Sequence, residues 1–267
     1  MTTRVELDAL ARDLAGEQAS LDALVASIDD AAWRRDTPAA GWNVQDQIAH
    51  LAHFDRTATL AISDPDAFQS SLAPLVEVVL AGQLDDFTLG PWRSMSPAAV
   101  LVGWRENRAT LAAAARSLDP AARVAWYGPS MSAASFLTAR LMETWAHGTD
   151  VADALGGHLA ATDRLVHVAR LGVITRGWSY AVRGETVPEG RVRVTLTSPT
   201  GASWTWGDPG AEDTVSGPAE DFCLVVTQRR HLDDTALVTG ELTRHWLVRA
   251  QAFAGAATLG PNAKESS

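Results

Sequence analysis

Through the first 157 residues, apolar side chains return every three or four positions, in one stretch after another. Leu7, Leu10, Leu14, Leu21, Leu24 and Ile28 form one series, and Val100, Trp104, Leu111, Ala115 and Leu118 form another. That period describes one face of an α-helix, and such a face must be buried against another element. With moderate connections between helices, the economical solution is a helical bundle. Asp36-Thr37-Pro38 breaks the chain, and Asn43 can cap a helix with Asp46 at its N3 position, running through His50 to about Ile62. Ser96-Pro97 starts a helix with proline at its first position. Gly128-Pro129-Ser130 introduces a last long helix through Leu155, closed by Gly156-Gly157. The stretch from Asp66 to Trp92 mixes helical and loop signals.

Past Gly157 the pattern changes. A helix is expected from about Thr162 to Arg183, followed by a half-buried strand at Arg191–Thr197, where Val192, Val194 and Leu196 alternate with polar residues. Pro199-Thr200-Gly201 turns the chain into a returning strand, Ser203 to Trp206. Helices are expected from Asp221 to Gln228 and from Leu242 to Ala254, with a fraying tail from Gly260. The expected fold is therefore mainly α: a helical bundle over 1–157, then a smaller α+β domain over 158–267.

The net charge of −10 argues against nucleic-acid and anionic-membrane partners. No apolar run is long enough to cross a bilayer, and the N-terminus lacks a signal-peptide pattern, so a cytoplasmic protein is expected. Cys223 is the single cysteine and lies in an apolar run, where a small buried core residue is the simplest reading. Of 22 basic residues only Lys264 is lysine, which suggests coding in a GC-rich bacterium.

The chemistry concentrates in two segments. Glu143 and His147 are four residues apart on the last bundle helix, so both project from one face and can grip one divalent ion. They belong to a polar stripe, Arg140, Glu143, His147 and Asp150, whose plain alternative is a solvated helix face. Upstream, Gly41-Trp42-Asn43-Val44-Gln45-Asp46-Gln47-Ile48-Ala49-His50-Leu51 puts one histidine on a mostly apolar helix. Asp46 and Asp150 could orient ligand imidazoles or merely solvate the surface. Arg140 would suit an anionic substrate or form a structural ion pair. Arg229 and Arg230, with His231, complement a helix end or hold an anionic thiol cofactor or substrate. His53 reads as a pocket or surface residue and not as a fourth ligand. Trp42, Trp104, Trp145, Trp204 and Trp206 read as core or pocket wall.

The two segments together resemble the DinB-like metal-binding four-helix-bundle family, in its mycothiol-dependent maleylpyruvate isomerase branch. Gly41-Trp42 followed by Asp46 and His50-Leu51 matches the family's second bundle helix, and Glu143-Thr144-Trp145-Ala146-His147 its last. The C-terminal part resembles, by texture, the small domain that follows this bundle. The resemblance implies His50, Glu143 and His147 as metal ligands, with zinc the first choice and nickel, iron or manganese compatible. Two histidines and one glutamate leave a position open for water or substrate, the pattern of a catalytic ion. The resemblance further implies a small thiol, mycothiol in an actinobacterium, activated for transfer or for isomerisation of an electrophile. A metal-hydroxide hydrolase of an amide or ester and a non-catalytic metal or small-molecule binding protein are the alternatives. The C-terminal arginine expected in the isomerases matches no position here securely.

Overall fold

A computed structural model describes residues 2–128 and 130–264. Pro129, part of the turn expected before the last bundle helix, lies outside the described residues, as does the tail end, 265–267. The chain forms two compact units, Met1–Leu159 and Ala160–Ser267.

The first unit is helical. It contains α1 (Arg4–Val25), α2 (Asp30–Trp33), α3 (Val44–Ser63), α4 (Pro65–Leu80), α5 (Leu84–Arg93), α6 (Pro97–Ser117) and α7 (Ala133–Ala154). A two-residue antiparallel pair, β1 (Arg123–Val124) and β2 (Met131–Ser132), precedes α7 and was not visible in the sequence pattern. Local chemistry sets the helix starts. Asn43 accepts from the Asp46 amide while the Asp46 carboxylate takes the Asn43 amide, a reciprocal cap for α3. Ser96 caps α6 ahead of Pro97, and Ser132 caps α7. The four long helices α1, α3, α6 and α7 form the bundle: α3 packs on α6 and α7, and α1 on α7 and α6. Leu21, Ile48, Leu51, Trp104 and Val151 fill its core. The segment with mixed signals is helical, as α4 and α5, and both pack on α3.

The second unit contains α8 (Leu165–Ile174), α9 (Arg176–Ala181), β3 (Val192–Thr197), β4 (Ser203–Gly207), β5 (Asp213–Pro218), α10 (Ala219–Val226), β6 (Val238–Thr239) and α11 (Glu241–Leu247). Its sheet has the order β4-β3-β5-β6, with β3 antiparallel to β4 and parallel to β5. Val194 and Leu196 are buried, and their cross-strand partners Trp206 and Trp204 extend the same face. Where α8 meets α10, Gly172 allows close approach: a Cβ there would lie 2.7 Å from Val226 and 3.0 Å from Phe222. Cys223 is fully buried in this core.

Two expected helices differ from those observed. The one placed at 162–183 is broken at Thr175, whose hydroxyl bonds back to the Leu171 and Gly172 carbonyls at 2.8 and 3.1 Å. The one placed at 242–254 stops at Leu247. Beyond it the Gln251 amide donates to Ser179 Oγ at 3.0 Å and the Ala252 amide to the Val226 carbonyl at 2.9 Å, which pulls the chain off the helical path. The described part of the tail is tied down at Lys264, whose amide reaches the Asp234 carboxylate at 3.1 Å. Among the described residues no helix is long and apolar enough to cross a membrane.

Candidate metal centre

His50 is presented by the middle of α3, and Glu143 and His147 by successive turns of α7. Since α3 and α7 pack together, the three side chains converge. Glu143 Oε2 lies 3.1 Å from His147 Nε2 and 3.5 Å from His50 Nε2. The two imidazole rings are 4.3 Å apart between centroids. Burial by itself would push the Glu143 carboxyl up, but hydrogen bonds and charge from His147 and His50 outweigh it and hold the group well below the usual carboxylate range.

The trio fits a divalent ion. Bonds of about 2.0–2.2 Å in tetrahedral geometry put neighbouring donor atoms roughly 3.3–3.6 Å apart. The contacts to Glu143 are close to that spacing, and all three donors lie within 4.8 Å of one another. Among the described residues this is the one grouping of three or more histidine, cysteine or acidic side chains close enough to share an ion.

Aromatic rings wall the site. Trp42 stacks on His147 at 5.8 Å and 15°, and tilts against His50 at 5.1 Å. Phe54, one turn beyond His50, lies 4.5 Å from its ring, and Tyr127 meets Phe54 edge-on at 5.8 Å. His53 stands apart from the trio, against Phe54 and Phe87, and burial lowers its pKa to about 4.

The remaining polar residues of the stripe have defined surroundings. Asp150 Oδ2 is 4.0 Å from His147 Nδ1. Arg140 directs Nε and Nη2 onto Asp55 Oδ1 at 3.2 and 2.9 Å, and both side chains are buried. This is the ion-pair arrangement given above as the structural alternative for Arg140. Asp46 is occupied as the cap of α3 and by Arg93, whose Nε is 2.8 Å away. Arg229 and Arg230 belong to the second unit, just past α10; Arg229 Nη1 donates to the Thr227 carbonyl at 2.7 Å and Arg230 Nη1 to the Arg229 carbonyl at 2.7 Å. The residue overlooked in the sequence is Gln47. It is fully buried on α3, and its Oε1 forms a short contact with His147 Nδ1. The available signal was a glutamine one turn before His50 on an otherwise apolar helix face.

The family model for the mycothiol maleylpyruvate isomerase N-terminal domain matches residues 14–152. The chain belongs to this family. The match spans α3 and α7 and so includes all three candidate ligands. Two relatives from Mycobacterium tuberculosis, "Uncharacterized protein Rv0036c" of strain H37Rv and "Uncharacterized protein MT0041" of strain CDC 1551, are each 45% identical over 244 residues, covering 91% of this chain and 94% of theirs. The crystal structure of the mycothiol-dependent maleylpyruvate isomerase superposes with a TM-score of 0.58 at 18% identity, covering 90% of this chain and 96% of that one. A structure of a histidine-to-alanine mutant of that enzyme matches equally well. At this identity the likeness is one of fold alone.

Proposed function

We propose that the chain is a metal-dependent enzyme that activates a small thiol, mycothiol, for S-transfer or thiol-assisted isomerisation of a small electrophile. The observation that carries this reading is the convergence of His50, Glu143 and His147 in a chain of the mycothiol maleylpyruvate isomerase family. When bound, a divalent ion would supply positive charge that favours the thiolate of an incoming thiol at neutral pH. The chain's own residues do the rest. Glu143 contributes a full negative charge, and two neutral imidazoles complete a set with one net negative charge, so a dication keeps attraction for an anionic sulfur. Trp42 and Phe54 pack against the imidazole rings and limit their freedom. Arg140 has its charge answered by Asp55, so its role is to fix α7 against α3. The mycothiol-dependent name of the structural neighbour supports the choice of thiol.

The test is metal analysis of the purified chain, then thermal-shift titration of the metal-loaded protein with mycothiol, with glutathione and with buffer alone. A ligand that binds only the folded state raises its stability, by about 2.7 kcal/mol at a hundredfold excess over Kd. Selective stabilisation by mycothiol is the expected result. Metal binding with no response to either thiol would replace this reading with the hydrolase or the binding protein.

A further inference from the structure

The hydrogen bonds around Gln47 assign the two ring nitrogens of His147, beginning at a backbone carbonyl. Thr37 Oγ1 lies 2.9 Å from the Trp42 carbonyl oxygen, which can only accept, so the single hydroxyl proton of Thr37 points there. Thr37 Oγ1 is therefore an acceptor toward Gln47, 2.8 Å away, and the amide end facing it is the NH2 group. The other end, the carbonyl oxygen Oε1, then faces His147 Nδ1 and accepts a hydrogen bond from its N–H. That leaves Nε2, 3.1 Å from Glu143 Oε2, as the nitrogen that faces the carboxylate through a proton in the ion-free site and would offer its lone pair once an ion took the proton's place. One turn thus sets both the tilt and the tautomer of this imidazole. Trp42 stacks its ring on His147, while its carbonyl anchors the hydroxyl that orients Gln47. The turn is itself held closed by the Thr37 amide, 2.9 Å from the same carbonyl, and by the bridge between Asp36 and Asn43.

We propose that Gln47, oriented by Thr37, is the positioning residue that presents His147 Nε2 to the metal. This rests on reading His50, Glu143 and His147 as a metal site. Carboxylates often serve in this role. Here the carboxylate of Asp150 stands at 4.0 Å from Nδ1, and a neutral amide makes the short contact. An amide at the short contact orients the ring while pulling less on the Nδ1 proton than a carboxylate at the same distance would. The imidazole would then donate less electron density to a bound ion than one backed by a carboxylate at that distance.

The experiment uses the full chain loaded with cobalt(II) or zinc(II). Metal affinity is read by competition with a chelator, the cobalt absorption spectrum reports the ligand set, and 15N spectra of the zinc form report the protonated nitrogen of His147. The melting temperature of each metal-free variant shows whether it folds. Gln47→Leu should weaken affinity about 10- to 100-fold. Thr37→Val should weaken it less, because Gln47 remains but can turn over, and Thr37→Ser should restore wild-type affinity. Gln47→Glu, nearly identical in shape, should bind the metal at least as tightly as wild type. Folded Gln47→Leu protein with wild-type affinity would overturn the proposal, and so would Thr37→Ser falling as far as Thr37→Val. A wild-type chain that holds no divalent ion would remove the metal-site reading itself, a separate failure read before any variant is made.

Discussion

Asp55 is the perturbation with the largest calculable effect. Its side chain is 0% exposed and that of Arg140 is 4% exposed. Arg140 gives Asp55 two hydrogen bonds on Oδ1, while Gln18 Nε2 and Trp104 Nε1 reach Oδ2 at 3.1 and 3.2 Å. The carboxylate thus ties α1, α6 and α7 to α3 at one point. In Asp55→Ala the Arg140 guanidinium stays buried with its charge unanswered, a loss of about 3–5 kcal/mol. The orphaned Gln18 and Trp104 donors would each add about 1–3 kcal/mol if no water entered; with water satisfying both, the total falls to its lower end of roughly 3 kcal/mol. Urea unfolding followed by tryptophan fluorescence and circular dichroism measures this directly. Asp55→Ala/Arg140→Ala should lose less than the sum of the two single variants, because the second change removes the stranded charge. The exposed pair Arg191–Glu212 is the control, and Arg191→Ala should leave the midpoint where it is. A loss below about 1 kcal/mol for Asp55→Ala would refute the reasoning, since a buried pair would then behave like a surface one.

His147→Ala should strip the metal, whereas Arg140→Ala should keep it despite the lower stability; elemental analysis after dialysis separates the two, and equal loss would refute the division of roles. His53 has a pKa of about 4 in the fold against 6.5 when unfolded, so the unfolded chain takes up the proton first as pH falls. Its contribution is complete above pH 6.5 and is lost as pH drops toward 4, by roughly 3 kcal/mol at about 1.4 kcal/mol per unit. Unfolding free energies at pH 7 and pH 4.5 should therefore fall more steeply for wild type than for His53→Phe, and equal slopes would count against the burial of a neutral imidazole. Gly172→Ala should cost the second unit about 1–3 kcal/mol by pressing a methyl into Val226 and Phe222; an unchanged melting curve would show that α8 and α10 can part without penalty.

Much of the first unit was legible because its signals are local. A capping pair such as Asn43 and Asp46 acts within three residues, and the leucine stripe of α1 reports a face regardless of what covers it. The second unit was harder. Asp213-Thr214-Val215-Ser216-Gly217-Pro218 has a single large apolar side chain, yet it forms β5 because β3 pairs alongside it in parallel and Val215 is buried. Asp213 also caps α11 from that strand, 2.8 Å from the Leu242 amide, a partnership across 29 positions that no window of sequence displays. The break at Thr175 could have been suspected from a threonine inside a helical pattern, but a hydroxyl bonded back to the previous turn is compatible with both a bent and a broken helix.

The candidate site divides in the same way. The sequence by itself determined that Glu143 and His147 share a face, since a spacing of four residues on any α-helix does so. The segment around His50 added a third candidate donor and pointed to the family that the family model bears out. Only the tertiary structure decided what each polar neighbour does. Arg140 turns to Asp55 and not outward, Asp46 turns to Arg93, and Gln47, 100 positions from His147, sets its Oε1 against the imidazole Nδ1. A helix dictates the direction in which a side chain leaves the backbone; the partner it finds there depends on which other helix is packed against it.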